Sequence, residues 1–193
     1  MGSFLAEVLP YWHAHVDQAH LLPFDRYKAW YAPDPEERFA DLIDTLLVEP
    51  TGARDIPNTV GTVLVLDQFT RRRYGKQAKA YAGHDFAADI AGPLLSHGRD
   101  NSLQLIERIA MAMALCNTEQ LVHHDLALEW FSQRIPEFED GEAQLLTDFQ
   151  VIAERRREIV RLYGRFPPRN QALGRASTPA EAYMLVGHGY EFE

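Results

Sequence analysis

Between Glu142 and Tyr163 the chain places Leu145, Phe149, Ile152, Ile159, Val160 and Tyr163 on one helical face, then meets Gly164 and Pro167-Pro168. A period near 3.6 held over that length predicts a long helix and demands a surface to cover its apolar stripe. Glycine supplies the left-handed cap and proline cannot continue the hydrogen-bond ladder, so the helix must end there. Arg156 interrupts the stripe. A guanidinium on an inward face either finds a carboxylate or carbonyl, or runs its head out to water along its aliphatic stem. Asp67 and Glu107, each an acid on an otherwise apolar face, are the expected partners.

The same period recurs along the chain. A short helix is predicted over residues 4–16, limited by Pro10. Asp34-Pro35-Glu36-Glu37 reads as a cap, a proline at the first helical position and acids at the positive end of the helix dipole, opening a helix to about Val48. A loop is expected over 51–57. Thr59 to Leu66 has the β-branched composition of a buried strand, yet it runs unbroken into Asp67-Gln68-Phe69-Thr70-Arg71 and has no second strand to pair with. A central helix from Asn58 to about Arg72 follows. Further helices are predicted over 84–96, over 103–116 with Ser102 as cap, over 118–134, and from the Thr178-Pro179-Ala180-Glu181 capping box to about Val186, with a frayed tail after Gly187. The 193 residues, 46% of them apolar, suit a single all-α domain of seven to eight antiparallel helices.

A net charge of −9 argues against a nucleic-acid partner, which needs a basic footprint. No window approaches the roughly 20 apolar residues of a membrane span. Cys116, the single cysteine, excludes an intrachain disulfide and suits a reducing, cytoplasmic setting. Phosphate-loop, nucleophile-elbow, C-x-x-C and H-E-x-x-H motifs are absent, so no cofactor is expected. His13 and His15, and the pairs His84-Asp85 and His123-His124-Asp125, invite a metal reading. Adjacent residues on a helix diverge by about 100°, however, and residues two apart also point away from each other, so no metal site is assigned.

From Gln150 to Arg175 seven arginines stand against two glutamates, a local +5 in a chain whose remainder carries −14. Arg165, Arg169 and Arg175 lie in a segment bent by proline and glycine, with Asn170 among them. Such forks of donors suit a phosphate or carboxylate, and the same forks also bond the open carbonyls of helix C-termini. Both uses stay open at this level.

Leu66-Asp67-Gln68-Phe69-Thr70-Arg71, Glu107-Arg108, Gly164 to Asn170 and Leu173 to Pro179 resemble the signatures of the bacterial domain-of-unknown-function family nine-two-four. The resemblance implies an all-helical, tetratricopeptide-like superhelical fold without an assigned biochemical function. Three departures mark this chain. Phe69-Thr70-Arg71-Arg72 stands where the family has F-P-R-N; Ala114 to Glu119 replaces P-F-E-H-S-E; and Arg156 takes a histidine position. A Glu and a His are thereby lost. The expected ligand-binding set is Asp67, Gln68, Arg71, Glu107, Arg108, Arg156, Arg165, Arg169, Asn170 and Arg175. It serves an anionic small molecule or a peptide. The alternatives are a hydrolase or transferase with Asp67 or Glu107 as general base, and a buried polar network that only holds the fold.

Overall fold

The computed structural model describes residues 2–15, 37–50 and 55–187, and every regular element among them is helical. In order these are α1 (Gly2–His15), a 3-10 turn at Glu37–Phe39, α2 (Ala40–Val48) and α3 (Ile56–Leu64). A π-helical turn, Val65–Phe69, joins α3 to α4 (Thr70–Tyr74). Then come α5 (His84–Ser96), α6 (Leu105–Leu115), α7 (Leu121–Arg134), α8 (Asp140–Tyr163) and α9 (Pro179–Gly187). Taking α3 and α4 as one interrupted rod, eight helices are seen among the described residues. None is long and apolar enough to cross a membrane.

Several boundaries differ from the sequence expectation for local reasons. The helix expected from Asn58 starts two residues earlier, at Ile56, because Asp55 caps it by accepting from the Asn58 amide at 2.9 Å; residues 51–54 of the predicted loop lie outside the described residues. Ser102 does not cap α6; it closes a 3-10 turn, Arg99–Ser102, and α6 starts at Leu105 with Glu107 reaching back to the Gln104 amide at 2.8 Å. Likewise α7 begins at Leu121 and not at Thr118, whose hydroxyl accepts from the Gln120 amide at 3.3 Å. Gly164 ends α8 at φ 68°, as the cap requires. The predicted start at Asp34, the side chain of His15, His20 and the tail beyond Gly187 lie outside the described residues.

The α3 rod is central because it is apolar all round: Val60, Val63, Leu64, Val65 and Leu66 are all buried, against α1, α5 and α6. One contiguous core extends from there, with Tyr11, Phe39 and Phe69 meeting edge to face or tilted at centroid distances of 5.1–5.8 Å. The π turn is held by Thr70, whose amide and hydroxyl both donate to the Val65 carbonyl, the hydroxyl at 2.8 Å. That extra residue in the turn sets Asp67 and Gln68 against different neighbours. Gln68 Oε1 accepts from Trp12 Nε1 at 2.9 Å, tying α1 down, while Asp67 faces the segment after α6.

Gly83, at the head of α5, packs directly on the same turn, where a Cβ would come within 2.3 Å of the Leu66 carbonyl oxygen. Nothing but glycine allows that approach. Gly83→Ala should therefore destabilise the protein by about 2 kcal/mol or more in urea unfolding. Gly141→Ala, where a Cβ meets nothing within 4 Å, should be neutral or stabilising by up to about 1 kcal/mol.

Candidate functional site

Asn117 follows the apolar run of α6 and is fully buried. A buried amide has to satisfy donors and an acceptor at once, and Asn117, with its own carbonyl, meets four separate parts of the chain. Its Nδ2 donates to Asp67 Oδ1 on the π turn at 2.7 Å. Its Oδ1 accepts from an Nη of Arg156 on α8. Its backbone carbonyl accepts from Arg169 Nη1 at 2.7 Å and from His84 Nδ1 at 3.0 Å. Both of those donors converge on one oxygen and stand 3.4 Å apart.

Beside this hub a cavity of about 350 Å3 opens between α5, the 3-10 turn at Ala78–Tyr81, the Asn117–Glu119 segment and the turn after α8. Its floor is Asn117, His84 and Arg169; Tyr81, Asp85 and Leu173 contribute walls. Arg169 is 2% exposed, with its guanidinium carbon 4.2 Å from the Phe166 ring centre and 4.9 Å from that of Tyr81. Faces of aromatic rings attract a planar cation and hold it flat against them.

The electrostatics follow from burial. Asp67 is held above the usual carboxylate range by burial, against the pull of Arg71, the Asn117 amide, Arg156 and Arg169. Burial, then the charges of Arg169 and Arg71, keep His84 well below the usual imidazole range, so it is neutral. With its Nδ1 proton given to Asn117, the other ring nitrogen carries a lone pair. That Nε2 lies 3.6 Å from Asp67 Oδ1, beyond hydrogen-bond length. Burial also raises the Cys116 thiol to about 12 and lowers His124 to about 4, so neither a thiolate nor a charged His124 arises at neutral pH.

The residues singled out from sequence separate into groups. Asp67, Arg156 and Arg169 meet around Asn117, and Arg71 lies near enough to lower Asp67 electrostatically. Arg156 does not run out to water, being 1% exposed. Glu107 is elsewhere: its Oε1 contacts His13 Nε2 at 2.7 Å and its Oε2 takes the Gln104 amide, while Gln68 is bound to Trp12. Arg108 clamps the loop before α6, donating to the carbonyls of Leu103 and Asn101 at 3.0 and 2.8 Å. Arg165 grips Glu181 with two bonds, at 2.6 and 2.9 Å, and the Ala176 carbonyl. Arg175 does the same to Glu119 at 2.5 and 2.9 Å, and its Nε donates to Asn170 Oδ1 at 3.0 Å. Of the three arginines in the turn, only Arg169 lines the cavity.

Asn117, Tyr81 and Thr118 join the site without a motif to announce them, and His84 joins it as a hydrogen-bonding neutral ring. No group of three or more His, Cys, Asp or Glu among the described residues is arranged to hold a metal. His124 Nε2 bonds the Thr118 carbonyl at 2.9 Å and Asp125 pairs with Arg157, so that His-Asp pair is engaged locally. Asn117 and Arg156, both at positions where the chain departs from the pattern it resembles, are bonded to each other.

The Arg165–Glu181 clamp carries a pH signature. The two Arg165 bonds and the Thr178 amide lower the Glu181 carboxyl to about 2 from 4.5. A depressed carboxyl stabilises the fold fully above the unfolded value and loses that contribution as pH falls through the folded one. The urea midpoint should drop between pH 4.5 and about 2, and Glu181→Gln should flatten that drop while lowering the midpoint at pH 7.

A search of the curated proteins returns no match. The chain is similar to the solved structure of a protein of unknown function, ATU0120, from Agrobacterium tumefaciens, with a TM-score of 0.65 at 22% identity. That match covers 97% of this chain and 100% of the other, and at such identity the likeness concerns the fold. A family model described as "bacterial protein of unknown function (DUF924)" matches residues 8–189, which take in the π turn, the Asn117 hub and the arginine turn. The chain belongs to that bacterial family.

Proposed function

We propose that this protein is a helical binding domain that holds a small anionic molecule in the cavity beside Arg169. The observation that carries the reading is a guanidinium, buried and flanked by two aromatic rings, on the floor of a cavity of about 350 Å3. That volume is at the lower end for small-ligand sites and favours a compact molecule, or one terminus of a peptide, over an extended peptide. Consecutive packing of α5 on α6 and of α7 on α8 supports a tetratricopeptide-like arrangement. The buried lone thiol of Cys116 supports a cytoplasmic setting.

A second reading is acid–base chemistry through His84. It is favoured by one contact, the bare Nε2 of His84 at 3.6 Å from Asp67 Oδ1. Asp67 and Glu107 do not line the cavity themselves. In this reading the bare Nε2 exchanges a proton with Asp67, the group that it faces, and Glu107 has no part.

Thermal-shift screening with inorganic phosphate and a panel of small carboxylates tests the binding proposal. A ligand at 100 times its Kd should stabilise the wild type by about 2.7 kcal/mol. Arg169→Lys, which keeps a charge but loses the planar fork, should weaken the response by about tenfold or more in Kd. No response from the wild type to any member would contradict the proposal and favour a network that only holds the fold.

A further inference from the structure

We infer that His124 is an acid-sensitive latch: as a neutral ring it pins the first turn of α7 to the cavity wall, and on taking up a proton it lets that turn go. The geometry behind this is a pair of consecutive carbonyls, each held by a buried imidazole. His84 Nδ1 on α5 meets the Asn117 carbonyl at 3.0 Å, and His124 Nε2 on α7 meets the Thr118 carbonyl at 2.9 Å. A carbonyl only accepts, so each of those nitrogens carries its ring's proton and the other nitrogen is bare. The two ends are anchored unequally. Asp67, Arg156 and Arg169 also bond Asn117, whereas among the described residues His124 is what bonds the Thr118 carbonyl. Thr118 and Glu119 line the cavity, so release at that end dismantles part of its wall, whatever the cavity holds.

His124 is fully buried, and its bare Nδ1 bonds nothing among the described residues. The acids nearby have other partners. Asp67 faces His84, Asp89 on α5 faces His123 at 3.6 Å, Glu119 is taken by Arg175, and Asp125 by Arg157. The charges that act on the His124 ring are Arg156 on α8, Arg169 in the arginine turn and neighbouring His123, and all three oppose a further cation. The Phe166 ring lies against it with centroids 6.0 Å apart. Burial first, then those charges, lower His124 to about 4, against the Thr118 bond that favours the charged form. A protonated ring therefore gains by reaching water, and the turn that carries it borders on water, since Leu121 and Val122 are both exposed.

Above the ordinary imidazole value of 6.5 neither the latched nor the released form takes a proton. Below it the released form does, and the latched form does not until about 4. The released fraction should thus rise about tenfold per pH unit across that window. Amide hydrogen exchange on the full chain, corrected for the intrinsic rate at each pH, reads this as falling protection of residues 124–127. Their protection should stay below that of Val60–Leu64 in α3 throughout, which marks a local release and not unfolding of the whole chain. His124→Gln, whose amide offers a donor where Nε2 stood and does not titrate, should keep the protection seen at pH 7 and flatten its fall toward acid. Exchange of 124–127 in step with α3, or a fall that survives His124→Gln, overturns the latch. Should that variant not fold, the imidazole nitrogen spectrum of the wild type decides. The Nε2-protonated tautomer should persist toward pH 4 and be lost together with the protection. A ring that charges near 6.5 with 124–127 still protected overturns the latch.

Discussion

The Asn117 side chain and its carbonyl are the constraint on which the rest of the site depends. Four groups from four parts of the chain end on this one residue: Asp67, His84, Arg156 and Arg169. An amide suits the place because it presents a donor on one side and an acceptor on the other, so it bonds a carboxyl and a guanidinium at once. Replacing it by an apolar residue would take from the buried Asp67 its amide donor and from Arg156 a buried acceptor. That cost is what fixes α8, the π turn and the arginine turn relative to one another.

The π turn is the second element of the arrangement. Within Val65–Phe69, Asp67 faces Asn117 while the next residue, Gln68, meets Trp12 of α1. Gly83 then brings α5 onto the Leu66 carbonyl, which seats His84 at the hub and Asp85 at the cavity rim. Charge and shape arise together here.

Much of the helical order was legible in the sequence, since the stripe of α8, the Thr178 capping box and the all-apolar α3 follow from periodicity and capping chemistry alone. The burial of Asp67 was legible too, because it breaks an apolar face, whereas for Arg156 the sequence left a buried partner and open water as alternatives. Their common partner was not. Asn117 lies just past the end of α6, where no period applies, and its partners stand 33 to 52 residues away, so only its place in the Ala114 to Glu119 departure marks it. Glu107 misleads for the opposite reason: an acid at the third position of a helix is also a cap, and here it caps α6 and meets His13. The arginine turn divides along a line that only three dimensions supply. Arg165 and Arg175 face carboxylates on neighbouring segments, and Arg169 faces the aromatic rings beside the cavity.

The central claim is that Asn117 couples Asp67 and Arg156 beneath the cavity. A double-mutant cycle in urea unfolding, with Asn117→Ala, Arg156→Met and the pair, measures that coupling directly. Each single change should cost about 3 kcal/mol or more, and the pair should cost less than the sum by at least about 1 kcal/mol, because both single changes remove the same buried bond. Strict additivity, or a loss below about 1 kcal/mol for Asn117→Ala, would contradict the account.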